Sequence, residues 1–570
     1  MKIILKYTAL LLLILSGTLS LNASENRSER IFVATDRDAY IAGENIWLSL
    51  YCFGNGGKLS SFSSVAYVEI QSSEGTGIYA KLALRGGRGG GRIELPPSLP
   101  TGNYELSAYT KQMLNEEKLS LFRKTISVYN TLTTARVSGN VELLEQMPAL
   151  PAVSEPPSSG LNPGMIDVKI YAGHNVIPAK SRIPVSLSNL GETPLTMHIS
   201  VLREDDIPAP AKKSLEGFTS DLKKQGVLPQ SLFKIVPDFE GEVIEVAVSS
   251  SKNEVLTDKV MWFSAAGGVS DIYTTLIDST GTARFYTNSF FGKREVVLDV
   301  PEADSLSQLN FAIKDPFLKI RPDSLPKLKI YRGLNERLRA RSVEMQLWRR
   351  FFADSLYEKK RVMYDPLLPE THTEYLLDNY TRFPVMKEVI SEYVPELRFR
   401  KVEGRTMLQM ILSDRLSNVS ISKDNTLVLL DGIPVFDHSK IFNYDPLRVK
   451  SLKVYEREFY IGYLSFSGIA SFSTYKGDYP GLTFPGNVRI MDYKGLEHPS
   501  RFTGSEVRGG SGIPDTRSLI YWEPVFDLAA GENSEIFLQT PSYSGTFTLK
   551  IEGISAKGEA FTVYKEFTVK

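Results

Sequence analysis

A single cysteine in 570 residues, Cys52, rules out a disulfide within the chain. Stability must come from packed cores and not from covalent staples. Histidine is scarce too. The five, His174, His198, His372, His438 and His498, include no pair at a metal-ligand spacing and no His-Glu-x-x-His. Excess charge of one sign is missing, because Lys plus Arg and Asp plus Glu each number 66. That balance argues against a chain-wide attraction to nucleic acid or to an anionic membrane. No Gly-x-Ser-x-Gly elbow occurs, Gly504-Ser505-Glu506 does not supply one, and no Walker sequence is present. No residue is nominated as catalytic, cofactor-binding or metal-ligating, and the chain reads as a non-enzyme that needs no cofactor.

What is present is a long, ordinary globular composition. Hydrophobic residues make up 42% and charged residues 23%, which favours folded domains over disorder. At a soft prior of about 150 residues per domain, the length suggests several. The first residues read as an export signal. Lys2 and Lys6 precede an apolar core around Leu11–Leu15, and Leu21-Asn22-Ala23 leads into polar Ser24-Glu25-Asn26. A signal peptide over 1–23 is expected, its core being shorter than the ~20 residues that span a bilayer. No cysteine follows it for lipid attachment, and no later run reaches spanning length. The mature protein is expected in the periplasm or associated with the outer membrane, including its outer surface.

Residues 29–129 read as short strands separated by turns: Arg30–Thr35, Ile46–Phe53, Ala66–Gln71, Tyr79–Leu84, Tyr104–Tyr109 and Lys124–Val128. Cys52 falls within an apolar run and is expected to be a small buried hydrophobe. The Arg85–Arg92 run of glycine and arginine lacks the following helix of a phosphate loop, since Pro96-Pro97 comes soon after. It also lacks the length of a disordered nucleic-acid segment. A flexible hairpin tip is expected there. The segments ATDRDAYIAGENIWLSLY (34–51) and LPTGNYELSAYT (99–110) resemble the second macroglobulin-like domain of the alpha-2-macroglobulin superfamily. The carrying feature is Tyr40-Ile41-Ala42-Gly43-Glu44, a turn before a long core strand. The resemblance implies a seven-stranded sandwich without catalysis. The thioester of the trapping members is excluded, because the lone cysteine lies in the first sandwich.

Residues 130–165 hold Pro148, Pro151, Pro156, Pro157 and Pro163 and are expected to be a linker. Residues 166–236 read as an Ig-like sandwich with strands at Ile166–Tyr171, Ile183–Leu187 and Thr196–Arg203. A helix is expected over Ser214–Gln225, where Leu215, Phe218 and Leu222 share a face. Asp205-Asp206 reads as a loop tip and not a metal site. Residues 237–315 read as a third β unit that resembles carboxypeptidase-regulatory or transthyretin-like sandwiches, on the turn Asp278-Ser279-Thr280-Gly281 before Thr282–Tyr286. Residues 316–400 read as a helical connector. In it, Met345, Trp348, Phe352 and Leu356 form one stripe of a helix spanning Leu334–Val362. A docked helix and a membrane-surface helix are both compatible, with Glu336, Glu344, Asp354 and Glu358 diluting the positive charge.

In residues 401–480, three β-type runs stand out: Leu427–Leu430 before Asp431-Gly432, Val449–Tyr455 after Asp445-Pro446, and Ile469–Tyr475 after Ser467-Gly468. His438, beside Asp437, is expected to face solvent. LVLLDGIPV (427–435), DPLRVKSLKVYE (445–456) and GIASFSTYKG (468–477) resemble the plug domain of TonB-dependent outer-membrane receptors. Fewer than a hundred residues follow Lys476, so a transmembrane barrel with strands of about 9–11 residues is not expected. Residues 481–570 read as a C-terminal sandwich segment, with strands at Ser518–Tyr521, Ser534–Gln539, Thr546–Ile551 and Ala560–Val569. Gly545-Thr546-Phe547-Thr548-Leu549 echoes Gly102-Asn103-Tyr104-Glu105-Leu106. With Ile513–Phe526, these features resemble Gram-negative envelope proteins that combine macroglobulin-like and plug-like domains.

The expectation is a mainly β, multi-domain chain with a helical segment and a small α+β unit. Its expected role is to bind or scaffold an envelope or outer-membrane protein. The alternative is an accessory subunit of a TonB-linked uptake system.

Overall fold

The computed structural model describes residues 28–146, 164–171, 176–203, 205, 207–226, 234–267, 271–288, 290–304, 306–352, 357–359, 368, 372–402, 404–413, 419–421, 425–503 and 514–570. The expected signal peptide, the prolines of the expected linker, His174, Asp206 and Gly504–Glu506 lie outside them. The fold is mainly β, built from many sheets. It divides into two compact units, and each is assembled from separated pieces of chain. One holds Met1–Phe239, Phe317–Arg361 and Glu497–Lys570, and the other holds Glu240–Pro316 and Val362–Leu496.

In the first unit, an eight-stranded sheet runs in the order Arg30–Thr35, Asn45–Phe53, Arg88–Glu94, Gly77–Arg85, Val65–Gln71, Gly102–Tyr109, Phe122–Tyr129 and Ala39–Ile41. The last, short strand lies parallel to Ser127-Val128-Tyr129 and has too little apolar pattern to be expected from sequence. Cys52 is fully buried, and burial pushes its thiol upward. The expected flexible tip at Arg85–Arg92 is corrected. Only Gly86-Gly87 turn, at φ 57° and 76°. Arg88–Glu94 is a strand paired along Asn45–Tyr51. The glycines in it serve close approach. A Cβ on Gly90 would sit 2.2 Å from Cβ of Pro524, and one on Gly89 would sit 2.3 Å from the Ala83 carbonyl oxygen.

The strands expected as a self-contained sandwich at 166–236 are instead completed by the C-terminus. Arg182–Asn189 lies between Ile166–Ile170 and Asn533–Gln539, and Leu195–Arg203 lies between Leu519–Leu528 and Gly545–Ser555. Their inward residues share one core, including Val185, Leu187, Ile199, Val201, Leu549 and Ile551. Half a sandwich cannot bury its own inner face, so the two chain segments need each other. The echoed motifs do share a geometry. Tyr104 and Leu106, like Phe547 and Leu549, face inward from their strands.

The expected linker and connector also differ from the fold. Val141–Leu144 pairs in parallel with Leu328–Tyr331. The expected helix at Leu334–Val362 runs as Asn335–Leu347, continues through a π-turn at Trp348–Phe352, and gives way to a strand at Tyr357–Lys359. The helix expected at Ser214–Gln225 is present as Leu215–Gln225. Its Phe218 packs on Phe32, Phe53 and Phe122.

In the second unit, Thr282–Thr287, Glu242–Ser250 and Leu309–Ile313 form one sheet, and Asp271–Leu276, Val260–Ala265, Lys293–Asp299 and Val488–Lys494 form another. The last strand was expected in the C-terminal segment. Its pairing with Lys293–Asp299 moves it here. A five-stranded mixed sheet contains Thr373–Leu376, Val449–Ile461, Leu464–Thr474, Leu427–Leu430 and Ile433-Pro434, with Leu427–Leu430 parallel to Ile469–Phe472. The unbroken run Leu427–Leu430 follows from burial on both faces. Val428 and Leu430 meet the helix Met386–Tyr393 and Ile441-Phe442, while Leu427 and Leu429 meet Trp262 and Ile272.

Candidate functional sites

The turn Tyr40–Glu44 organises a charged pocket in the first unit. Gly43 takes φ 99° there, and the Glu44 carboxylate accepts from the Ile41 N–H at 2.8 Å. Arg341, on the helix Asn335–Leu347, donates to both Glu44 oxygens at 2.7 and 3.0 Å and also pairs with Asp205. Asp36 accepts from the Trp47 N–H at 3.0 Å and from the Tyr40 hydroxyl at 2.9 Å, and Arg37 Nε donates to it at 3.0 Å. Glu344 pairs with Arg203 at 3.2 Å and accepts from the Ser518 N–H. Arg517 is committed to Asp515 at 2.8 and 2.7 Å. Burial pushes the Asp36, Asp205 and Glu344 carboxyls upward, and that of Glu44 to about 8.

Of these groups, Asp36, Arg37, Glu44, Glu344 and Arg517 line a cavity of about 70 Å³ whose walls include Trp47, Trp348, Phe502 and Leu519. Trp47 and Phe502 hold ring centroids 5.7 Å apart at 51°. The π-turn at Trp348–Phe352 carries Trp348 onto this aromatic cluster. Asn45 also lines the cavity, and its buried Oδ1 has no hydrogen-bond partner among the described residues.

A second buried cluster in this unit surrounds His198. Its Nδ1 lies 3.1 Å from the Tyr51 hydroxyl, and its Nε2 lies 3.5 Å from Glu552, which also takes Lys550 at 2.8 Å and the Leu215 N–H at 2.7 Å. Burial pushes the imidazole down to about 4 against the pull of Glu552. The ring is therefore neutral at pH 7, and the cluster is closed by its own bonds.

In the second unit, Asp431 occupies a left-handed position, φ 50°, before Gly432. It clamps the sheet by accepting from the Thr474 N–H and hydroxyl at 2.7 and 2.6 Å and from the Tyr479 N–H at 2.8 Å. His438 does not face solvent as expected. It is 3% exposed, its Nδ1 accepts the Leu408 N–H at 2.9 Å, and burial pushes it down to about 4. The strand Arg405–Ser413, folded over it, supplies the cover that a sequence window cannot show.

A polar concavity of about 320 Å³ lies beside Lys440, Tyr444, Arg448 and Gly481. Lys440 and Arg448 are tied to the Thr483 and Pro480 carbonyl oxygens at 2.5 and 2.9 Å, which holds that loop in place. The hairpin Val449–Thr474 extends past its sheet. Thr373–Leu376 pairs with Ser451–Val454 on its outer side, and Tyr460 and Tyr463 at the tip are 70% and 83% exposed.

Among the described residues, no three His, Cys, Asp or Glu side chains stand where they could hold a metal ion, and no helix is long and apolar enough to cross a membrane. Asp205, read from sequence as part of a loop tip, is in the ion pair with Arg341. Arg37 and Arg341 were not singled out from sequence, and Glu344 was read only as an acidic residue diluting the helix's positive charge. Only the Tyr40–Glu44 turn hinted at their meeting place.

No family model matches the chain, and no curated protein matches it. Among solved structures, it is similar to Salmonella alpha-2-macroglobulin reacted with methylamine, at 9% identity and TM-score 0.24, over 95% of this chain and 40% of that one. It is also similar to the native conformation of Escherichia coli alpha-2-macroglobulin, at 8% identity and TM-score 0.24, over 96% and 40%. A third likeness is to the Yersinia pseudotuberculosis adhesin InvE, at 10% identity and TM-score 0.14, over 51% and 61%. The chain thus spans about 40% of the length of the macroglobulins it matches.

Proposed function

We propose that this chain is a non-enzymatic exported protein of the cell envelope that binds a partner protein through the Val449–Thr474 hairpin. The observation that carries the reading is the hairpin's form. Two tyrosines, Tyr460 and Tyr463, stand exposed at its tip. Tyrosine supplies large contact area with a polar end. The tip is anchored where it leaves the sheet, because Thr274 donates to the Ile461 carbonyl at 3.0 Å and Gly462 seats against the same threonine. The plug-like resemblance of residues 427–477 adds a finer reading, in which the partner belongs to a TonB-linked outer-membrane system.

The test is affinity capture from solubilised envelopes, using the tagged mature protein beside its Tyr460→Ala/Tyr463→Ala variant. A specific envelope protein retained by the first and lost from the second is expected. If that protein is an outer-membrane barrel, the finer reading gains support. Equal capture by both proteins would overturn the hairpin as the binding element.

A further inference from the structure

We propose that the aromatic-walled cavity of the first unit binds an alkylammonium group, either the side chain of a lysine on a partner protein or a free amine. This site is separate from the hairpin and does not depend on it.

The first argument is charge. Asp36, Glu44, Asp205, Glu344 and Asp515 face Arg37, Arg203, Arg341 and Arg517. Each guanidinium is already bound to a carboxylate of this network, and among the described residues five carboxylates meet four cations. The adjoining pairs Lys124–Asp38 and Arg349–Glu94 are balanced in themselves. One negative charge is left over in a largely desolvated place, where it is costly unless a proton or a cation joins it. Burial pushes four of these carboxyls upward, which marks how poorly water reaches this place.

The second argument is shape and wall chemistry. Trp47 and Trp348 line the cavity, and a cation near an indole ring is attracted by the ring quadrupole; the Phe502 ring beside them already carries the Arg517 guanidinium, 5.8 Å from its centroid. A space of about 70 Å³ admits a small cationic head and excludes a bulky ligand. The buried Asn45 Oδ1 supplies an acceptor that no donor among the described residues has taken. The wall residue Trp348 sits on a π-turn, a rare distortion that is frequent at functional sites. An anion would meet the leftover negative charge, and a neutral apolar group would leave both that charge and the Asn45 oxygen unanswered.

The ammonium would displace the proton that the network holds near neutrality. Binding therefore tightens as pH rises from about 7 to about 9, where Glu44 gives up its proton while a primary amine, near 10.4, stays charged.

The experiment is a titration of the full mature chain, followed by tryptophan fluorescence and calorimetry. The probes are n-butylamine, an N-acetylated lysine-containing peptide, and n-butanol as the neutral control. Saturable binding of an amine, tighter at pH 8.5 than at pH 7 and absent for butanol, is expected. Binding of the peptide well above butylamine assigns a protein lysine; the reverse order assigns a free amine. Trp348→Ala should weaken binding tenfold or more and Trp348→Phe much less. Glu344→Gln, which keeps an acceptor for the Ser518 N–H, should also weaken it about tenfold. Thermal melts of each variant establish that it is folded. No saturable amine binding, or equal affinity in folded Trp348→Ala and Glu344→Gln, would overturn the proposal.

Discussion

Glu44 and Asp431 are both carboxylates beside a glycine turn, one in each unit, and they are held in opposite ways. Asp431 is satisfied by neutral donors from a strand and loop within 48 residues of it. Glu44 leans on a guanidinium 297 residues away. A carboxylate bonded to backbone N–H and hydroxyl groups needs no counter-ion to stay paired. One bonded to a buried arginine ties two chain segments together, and removing either partner strands the other. The Asp431 clamp shapes a turn, whereas the Glu44 pair fastens a helix to a sandwich.

The largest predicted effect follows from that contrast. Arg341→Ala leaves Glu44 and Asp205 without their shared cation and should destabilise the first unit by about 3–5 kcal/mol. Hydrogen-exchange mass spectrometry should show the loss in the Asn335–Leu347 helix and the Tyr40–Glu44 turn, with the second unit unchanged. Protection lost evenly from both units would break the comparison.

Titration sharpens it next. His198 and His438 are each pushed down to about 4 by burial, against about 6.5 in an unfolded chain. Between those values the unfolded state takes up a proton that the folded state does not. Stability is therefore fully present above pH 6.5 and falls as pH drops toward 4, by about 1.4 kcal/mol per pH unit for each histidine. In the second unit Asp299, pushed up to about 7 by burial, acts in the opposite sense, so His438→Gln should remove the His438 share and make that unit less acid-sensitive, leaving the first unit unchanged. Exchange measured at pH 7 and pH 4.5 reads both units in one experiment. An unchanged slope in the second unit would show that His438 is already protonated in the fold.

A smaller effect is expected where glycine is a packing residue. Gly90→Ala places a Cβ against Pro524 and should cost about 1–3 kcal/mol, seen as a lower urea midpoint for the first unit. Gly404→Ala is the internal contrast. Its Cβ would meet nothing within 4 Å, so only its positive φ, 80°, would count against it.

Legibility in the sequence followed the same division. The Asp431-Gly432 turn, the strand Leu427–Leu430 and the helix after Ser214 could be read directly, because a short window contains everything that fixes them. The pairing of Arg182–Asn189 with Asn533–Gln539 could not, since an edge strand carries no mark of which distant segment completes it. The Arg88–Glu94 strand was hidden because its glycines are set by Pro524 and Ala83, not by local propensity. His438 read as exposed for lack of the strand that covers it. The charged pocket was legible only as the turn Tyr40–Glu44, because its arginines, Arg37, Arg203, Arg341 and Arg517, come from four separate parts of the chain.

The smallest predicted effect tests whether a locally written element also does long-range work. Ser214 Oγ accepts the Gly217 N–H at 3.1 Å and caps the helix Leu215–Gln225. Ser214→Ala removes one acceptor from a helix end and should cost about 1 kcal/mol. The helix carries Phe218 against Phe32, Phe53 and Phe122, and its first N–H, from Leu215, reaches Glu552 in the histidine cluster. If the cap acts only locally, exchange should quicken over Leu215–Gln225 alone. If the helix is a lid on the aromatic core, protection should also fall in Arg30–Thr35 and Asn45–Phe53. The packing of Phe218 favours the second pattern, because three rings of the sandwich core would lose a partner whenever the helix frays.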